Sequence, residues 1–312
     1  MNKQCKICNS SDVKIVYNGK FRLGGVGTWI KNDTPVFKCN NCDVLWHDDV
    51  LDDIAGFYEN SEYREAVQGN ANIDKFYELH DSEVENRLNF TGTKIFRNKI
   101  VADIGCGGGA FLDYIDGVAK TIIAVEPSKD YRQKLIDKFT HSGEGVVYPY
   151  ASVALKDWQN KVDIVTSFDV IEHVTNPIEF LNDIYKLLKD GGQAIIETPT
   201  NQPVTSDLLG EDYNKIIVYT AQHLWVFSEN SLSFMAKKIG FSKCSFKYFQ
   251  KWDLTNLLTW MKYKRPLSIG SNYGIPEIDI NYDFVTPTLN EVYKKTLEEK
   301  GLADTIIMYL EK

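Results

Sequence analysis

A doubly wound α/β fold is what this sequence predicts, a mostly parallel sheet of seven strands behind a small cysteine-bearing module, and three observations carry that expectation. Residues 101 to 110 read Val-Ala-Asp-Ile-Gly-Cys-Gly-Gly-Gly-Ala, an apolar run ending in Asp103 that breaks at once into Gly105, Gly107, Gly108 and Gly109. This is a strand feeding a glycine turn and a helix, with backbone able to take positive φ or approach a ligand closely and with unpaired amides at the helix start. A second apolar run, Thr121-Ile-Ile-Ala-Val125, stops at Glu126, about 20 residues on, where a doubly wound fold places the acid that holds ribose hydroxyls. Third, β-branched runs alternate with helical segments, which implies parallel strands joined by right-handed crossovers. An adenosine-containing ligand is expected.

In chain order, residues 1–47 come first. Cys5-Lys-Ile-Cys8 and Cys39-Asn-Asn-Cys42 each offer two thiolates from one short turn, a spacing that suits one tetrahedral zinc. The stretch between them reads as β-rich, around Gly24 to Gly27. So short a segment buries little core, so a metal would supply much of its stability. Four unligated thiols, or a redox pair, is the alternative; His47 is a substitute ligand expected to lie just outside the module. The segment holds seven Lys or Arg against three Asp, a net of +4, without a basic stripe. A structural or substrate-cleft module is expected rather than a nucleic-acid binder.

Residues 48–95 turn helical and read as a cover preceding the sheet. Residues 96–249 form the core, with strands expected at 99–104, 121–125, 145–149, 162–168, 193–198 and 242–249. Between the last two lies a helix from Ser228, a good N-cap, to Ile239, with Gly240 as its stop. Residues 250–303, with Trp252, Trp260, Tyr263, Arg265, Tyr273 and Tyr282, exceed what a hairpin turn needs and read as a substrate-binding insertion, or else as added core or a dimer contact. Residues 304–312 supply the last strand.

Composition narrows the function classes. With 312 residues there is room for one full α/β domain and accessory pieces. A formal charge of −8 disfavours broad attraction to nucleic acid or anionic membrane, so a small-molecule substrate is expected. No apolar stretch reaches the roughly 20 residues of a membrane span, and the start carries no signal-peptide core. A cytoplasmic protein is expected. The six cysteines do not form a secreted disulfide pattern; Cys106 and Cys244 are expected as reduced thiols. The oligomeric state is not legible.

The glycines also satisfy Gly105-x-Gly107-x-x-Ala110, the dinucleotide fingerprint in its alanine-ended form, so the loop alone fits a dehydrogenase as well. The surrounding words separate the two. An acid two residues before Gly105-Cys-Gly107, Glu126-Pro-Ser after the second strand, Phe168-Asp-Val-Ile-Glu-His-Val174 after the fourth and Leu187-Leu-Lys-Asp-Gly-Gly192 before the fifth occur in order. Over residues 96 to 249 the chain resembles the class I S-adenosylmethionine-dependent methyltransferases, a Rossmann-like fold. The resemblance implies that Asp103 orients the glycine loop and receives the methionine ammonium, that Glu126 takes the ribose hydroxyls, and that Phe168 and Asp169 lie near the adenine or the transferred methyl. Ala151 and Ser152 stand where many relatives have an adenine-binding acid, a departure that leaves that contact unassigned. Tyr63 and Arg64, in the cover, are candidates for the cofactor's carboxylate, or plain surface residues.

Methyl transfer from a sulfonium asks an enzyme to align a nucleophile, exclude water and take a proton where the nucleophile is a hydroxyl. His173, after the fourth strand, and His223, after the fifth, are the candidate bases; His223 alternatively ties its loop to the helix that follows. Tyr219 and His223 together resemble the active site of zinc-containing nucleotide-deoxysugar methyltransferases. The expectation is therefore a zinc-containing methyltransferase acting on a sugar, or another small nucleotide- or phosphate-linked precursor of a cell-surface glycan. An RNA or protein methyltransferase that uses the ribbon for recognition, or a non-catalytic binding protein retaining the fold, are the alternatives.

Overall fold

The computed structural model describes residues 3–25, 27–48, 50–51, 53–60, 73–142, 145–267 and 282–312. In chain order the elements are β1 Val13–Gly19, β2 Thr34–Cys39, β3 Leu45–His47, α1 Ile54–Glu59, α2 Ile73–Thr91, β4 Ile100–Ile104, α3 Ala110–Ile115, β5 Thr121–Val125, α4 Lys129–Ser142, β6 Gly145–Tyr148, α5 Ala151–Trp158 and β7 Val162–Phe168. There follow α6 Pro177–Leu187, β8 Leu188–Pro199, α7 Pro203–Leu209, α8 Glu211–Asn214, β9 Trp225–Val226, α9 Glu229–Ile239, β10 Lys243–Phe249, α10 Leu254–Tyr263, α11 Pro287–Glu299 and β11 Thr305–Glu311.

All seven expected core strands form one sheet in the order β10-β11-β8-β7-β4-β5-β6. β4 pairs in parallel with β5 and β7, β5 with β6, and β7 with β8. β11 runs the other way, since Gly191 N–H donates to the Lys312 carbonyl while Thr200 N–H donates to that of Asp304. The sheet is therefore mixed, with the reversed strand inserted near one edge. The inner strands read as near-continuous apolar runs because helices cover both faces of a parallel sheet; Val101, Ala102, Ile122, Ile123 and Val165 are all fully buried.

Local chemistry sets the helices. α6 starts at Asn176, whose side chain accepts from Glu179 N–H, with Pro177 in the first turn, and it buries Leu181, Ile184 and Leu187 along one stripe. The Ser228 hydroxyl accepts from Ser231 N–H at 3.2 Å, the cap expected for α9. Around residues 187–192, where a turn is expected, β8 already begins at Leu188, and an irregularity in its pairing places Leu188 opposite Val162 and Gln193 opposite Ile164, with Gly191 at φ +71°.

The chain divides into two units. One comprises Met1–Val50, Thr198–Leu232 and Phe246–Ile307; the other comprises Leu51–Glu197, Ser233–Ser245 and Met308–Lys312. These units group the chain differently from the segments 1–47, 96–249 and 250–303 read from the sequence. The front module does not close on itself at residue 47: β3 pairs with β9, Leu45 opposite Val226 and Trp46 opposite Trp225, completing a four-stranded sheet β1-β2-β3-β9. A short β-rich segment leaves an apolar edge at β3, and the buried Trp46 is covered there by that partner strand.

The segment expected as an insertion begins on Asp304, whose buried carboxylate accepts from Gln250 Nε2, Lys251 N–H and Trp252 N–H at 2.9 Å each. α10 then buries Trp260 edge-on against Tyr213, ring centroids 4.8 Å apart. Part of this segment is therefore core of its unit. Tyr273 lies outside the described residues.

Candidate active site

In the unit Leu51–Glu197, β4 delivers Asp103 and the glycine turn. Gly105 has φ +78°, and a Cβ there would lie 2.3 Å from Val170 Cγ2, so only glycine fits. Gly109, at φ +85°, caps α3 with a left-handed backbone. Glu126 at the end of β5 ties this turn down: its Oε2 accepts Gly107 N–H and its Oε1 accepts Ser128 N–H, both at 2.8 Å. A carboxylate oxygen accepts more than one hydrogen bond, so these ties are compatible with further donors such as ribose hydroxyls. Tyr77 of α2 donates its hydroxyl to the Gly108 carbonyl at 2.8 Å, linking the helical cover to the loop.

Asp103 is 2 % exposed and accepts the Thr166 hydroxyl at 2.7 Å. Burial pushes its pKa up to about 6, against the pull of Thr166 and Arg87. A carboxylate so raised gains from a cationic ligand, because an ammonium beside it restores the charged form.

Sequence reasoning missed Arg87. It reaches from α2 to the ends of two adjacent strands, with Nε donating to Glu197 at 2.9 Å and an Nη to Asp169 at 3.0 Å. Its guanidinium lies 4.8 Å from the centroid of Phe168, and its carboxylate neighbours hold it charged despite burial. Phe168 itself packs edge-on against Phe111 and Phe90 at 4.9 and 6.1 Å, a packing residue of the aromatic core. Asp169 takes φ +54°, rare for a side chain other than glycine. Nothing in the spacing of α2 signals an arginine committed to carboxylates about a hundred residues away.

His173 follows β7. Tyr58 of α1 lies 2.9 Å from its Nδ1 by the hydroxyl, and Glu172 Oε1 stands 3.8 Å from its Nε2. Glu59, next to Tyr58, accepts the Tyr150 hydroxyl and lies 3.7 Å from Lys129. α1 is thus pinned at both its ring and its acid. Tyr63 and Arg64 lie outside the described residues.

In the other unit, Cys5 Sγ lies 3.6 Å from Cys42 and Cys8 Sγ 3.5 Å from Cys39, with all four within 4.8 Å of one another. Four thiolates at about 2.3 Å from one zinc stand roughly 3.8 Å apart, so the set fits one tetrahedral ion. Cys5 is lowered by its bond to Cys42, and Cys42 is raised by the same bond. His47 is not among these ligands: its ring nitrogens lie 2.7 Å from the Asp48 carbonyl and 2.9 Å from that of Thr220. Tyr219 is buried on Tyr17, centroids 5.4 Å apart, with its phenol raised to about 12 by burial. His223 closes a tight turn whose N–H donates to the Thr220 carbonyl at 3.1 Å.

The methyltransferase domain family matches residues 76–245, more than half of the chain. Ubiquinone biosynthesis O-methyltransferase of a Caulobacter species is 30% identical over 141 residues, covering 43% of this chain and 55% of that protein. The tRNA U34 carboxymethyltransferase of Campylobacter fetus is 30% identical over 127 residues, covering 38% and 44%. The chain thus spans about half the length of the curated relatives it matches. Among solved structures, a SAM dependent methyltransferase from Archaeoglobus fulgidus superposes with a TM-score of 0.48 at 18% identity, covering 77% of this chain and 98% of that one.

Proposed function

The chain belongs to the methyltransferase domain family, and on that premise we propose that it transfers the methyl group of S-adenosylmethionine to a small acceptor, a sugar or another nucleotide- or phosphate-linked precursor of a cell-surface glycan. The observation that carries the cofactor reading is the trio Asp103, Gly105 and Glu126: a buried acid raised for an ammonium, a turn that excludes a Cβ, and an acid after the next strand. The cofactor supplies an electrophilic methyl group. Asp103 holds the ammonium, Glu126 takes ribose hydroxyls while keeping Gly107 N–H in place, and Arg87 fixes Asp169 and Glu197 at the strand ends.

On the acceptor side, His223 removes the proton of the attacking hydroxyl or carbon acid, an imidazole being suited to that transfer near neutral pH. His173, paired with Tyr58, is the second candidate. The four cysteines hold one zinc. The net charge of −8 supports a small acceptor over a polymer. A second reading, an RNA acceptor, draws on the relative named tRNA U34 carboxymethyltransferase. Incubation with methyl-labelled S-adenosylmethionine and a panel of nucleotide sugars, phosphorylated sugars, quinone precursors and RNA separates them. Label in a nucleotide or phosphorylated sugar supports the first reading, and label in RNA replaces it.

A further inference from the structure

The cysteine module and the segment that carries His223 are built as one piece. Cys39 and Cys42 sit on the turn leaving β2, where Cys39 N–H donates to the Val44 carbonyl at 3.0 Å. From that turn two bonds run directly to the chain after β9: the Ser228 hydroxyl donates to the Cys42 carbonyl at 3.1 Å, and Asn230 Nδ2 donates to Asp43 at 2.8 Å. β3 continues from the turn into its pairing with β9, and His47 N–H donates to the Leu224 carbonyl at 3.3 Å. The His47 ring, 4 % exposed and 4.7 Å from the Phe21 ring, meets the Thr220 carbonyl through Nε2. Arg22 holds the other flank, its N–H donating to Lys215 and its carbonyl accepting Ala221 N–H at 2.8 Å. The turn Thr220 to His223 is thus held on both sides by residues of the chain segment that carries the four cysteines.

We propose that the four-cysteine module fixes the Thr220–His223 turn through His47, Arg22 and the Cys42–Ser228 bond, so that filling the metal site and presenting His223 are coupled. Thr220 is wholly buried; its carbonyl accepts His223 N–H inside the turn and has a second lone pair, which Nε2 of His47 meets at 2.9 Å, so the imidazole ties the turn to the module. A loop held this way opens when its anchors loosen, while a sheet with its own core does not. The inference rests on reading His223 as an acceptor-side residue; the coupling itself is a property of this unit.

Hydrogen exchange on the full chain tests it, with S-adenosylmethionine calorimetry alongside. Stripping the metal with a chelator is expected to speed exchange of amides 215–226 by at least about tenfold, to leave residues 100–104 and 121–125 unchanged, and to move cofactor affinity by less than about twofold. His47→Leu with its metal retained should speed exchange at 220–226 alone. His47→Gln, whose side-chain amide donates toward Thr220, should restore most of the protection. Unchanged exchange at 215–226 after metal loss, or protection lost equally in 100–104, overturns the proposal, as does full protection in His47→Leu. Failure of the intact protein to bind S-adenosylmethionine would overturn the functional reading instead.

Discussion

Arg87 and Asp169, 82 positions apart in the chain, form an ion pair of 3.0 Å between the helical cover and the end of β7, and the same guanidinium continues to Glu197. The Glu197 side chain is 8% exposed, so it has little water to replace the arginine. Breaking a buried pair by removing one partner leaves an uncompensated charge and costs about 3 to 5 kcal/mol. Arg87→Met should lower unfolding stability by that amount in urea titrations, and Arg87→Lys by less, because lysine keeps the charge but not the fork. A change below about 1 kcal/mol for Arg87→Met would show that the network contributes little to stability.

The raised pKa of Asp103, about 6, sets a pH dependence for cofactor binding. Protonated, Asp103 offers no charge to an ammonium. Affinity for S-adenosylmethionine should therefore fall as pH drops through 6, by up to about tenfold per unit, and be level from about pH 7 until the cofactor's own amine loses its proton at about pH 8. For stability the sign is opposite: the folded state binds this proton more tightly than the unfolded chain does. Asp103 thus favours folding most in acid, and that contribution is lost as pH rises through about 6. Calorimetry from pH 5 to 8, with Asp103→Asn as the flat-profile control, checks the binding half.

Much of the cofactor unit was legible in the sequence, because its signals are local. Apolar runs gave the seven strands, and Asp103, Gly105, Gly107 and Glu126 lie within one βαβ span. The rest depends on distant partners that leave no periodicity. Arg87 meets Glu197 across 110 positions, Tyr58 meets His173 across 115, and β9 is two residues long, too short to make a run. For the same reason the module appeared closed at residue 47 although its sheet borrows Trp225 and Val226.

The cysteines predict a metal content of about one zinc per chain, with a marked drop in melting temperature of the unit Met1–Val50, Thr198–Leu232 and Phe246–Ile307 when it is removed. Elemental analysis of natively prepared protein measures it. Metal-free protein whose melting curve is indifferent to a chelator would leave the four cysteines as ordinary thiols.

If His223 takes the acceptor's proton, His223→Ala should lower turnover by about 100-fold or more, with cofactor affinity nearly intact. His173→Ala is the comparison. A selective loss in His173→Ala, shared by Tyr58→Phe, would move the base to the loop after β7. Near-normal rates in both histidine variants would indicate an acceptor that needs only alignment.

Direct titration of the protein with S-adenosylmethionine and, separately, with a nicotinamide dinucleotide, followed by the same pair on Glu126→Ala, tests the cofactor assignment on which all else rests. The prediction is saturable binding of the sulfonium, no heat with the dinucleotide, and a loss of roughly 1 to 3 kcal/mol in Glu126→Ala as its hydrogen bonds to ribose and to Gly107 disappear. Binding of the dinucleotide with none of the sulfonium would contradict the assignment and return the glycine turn to the dehydrogenase reading.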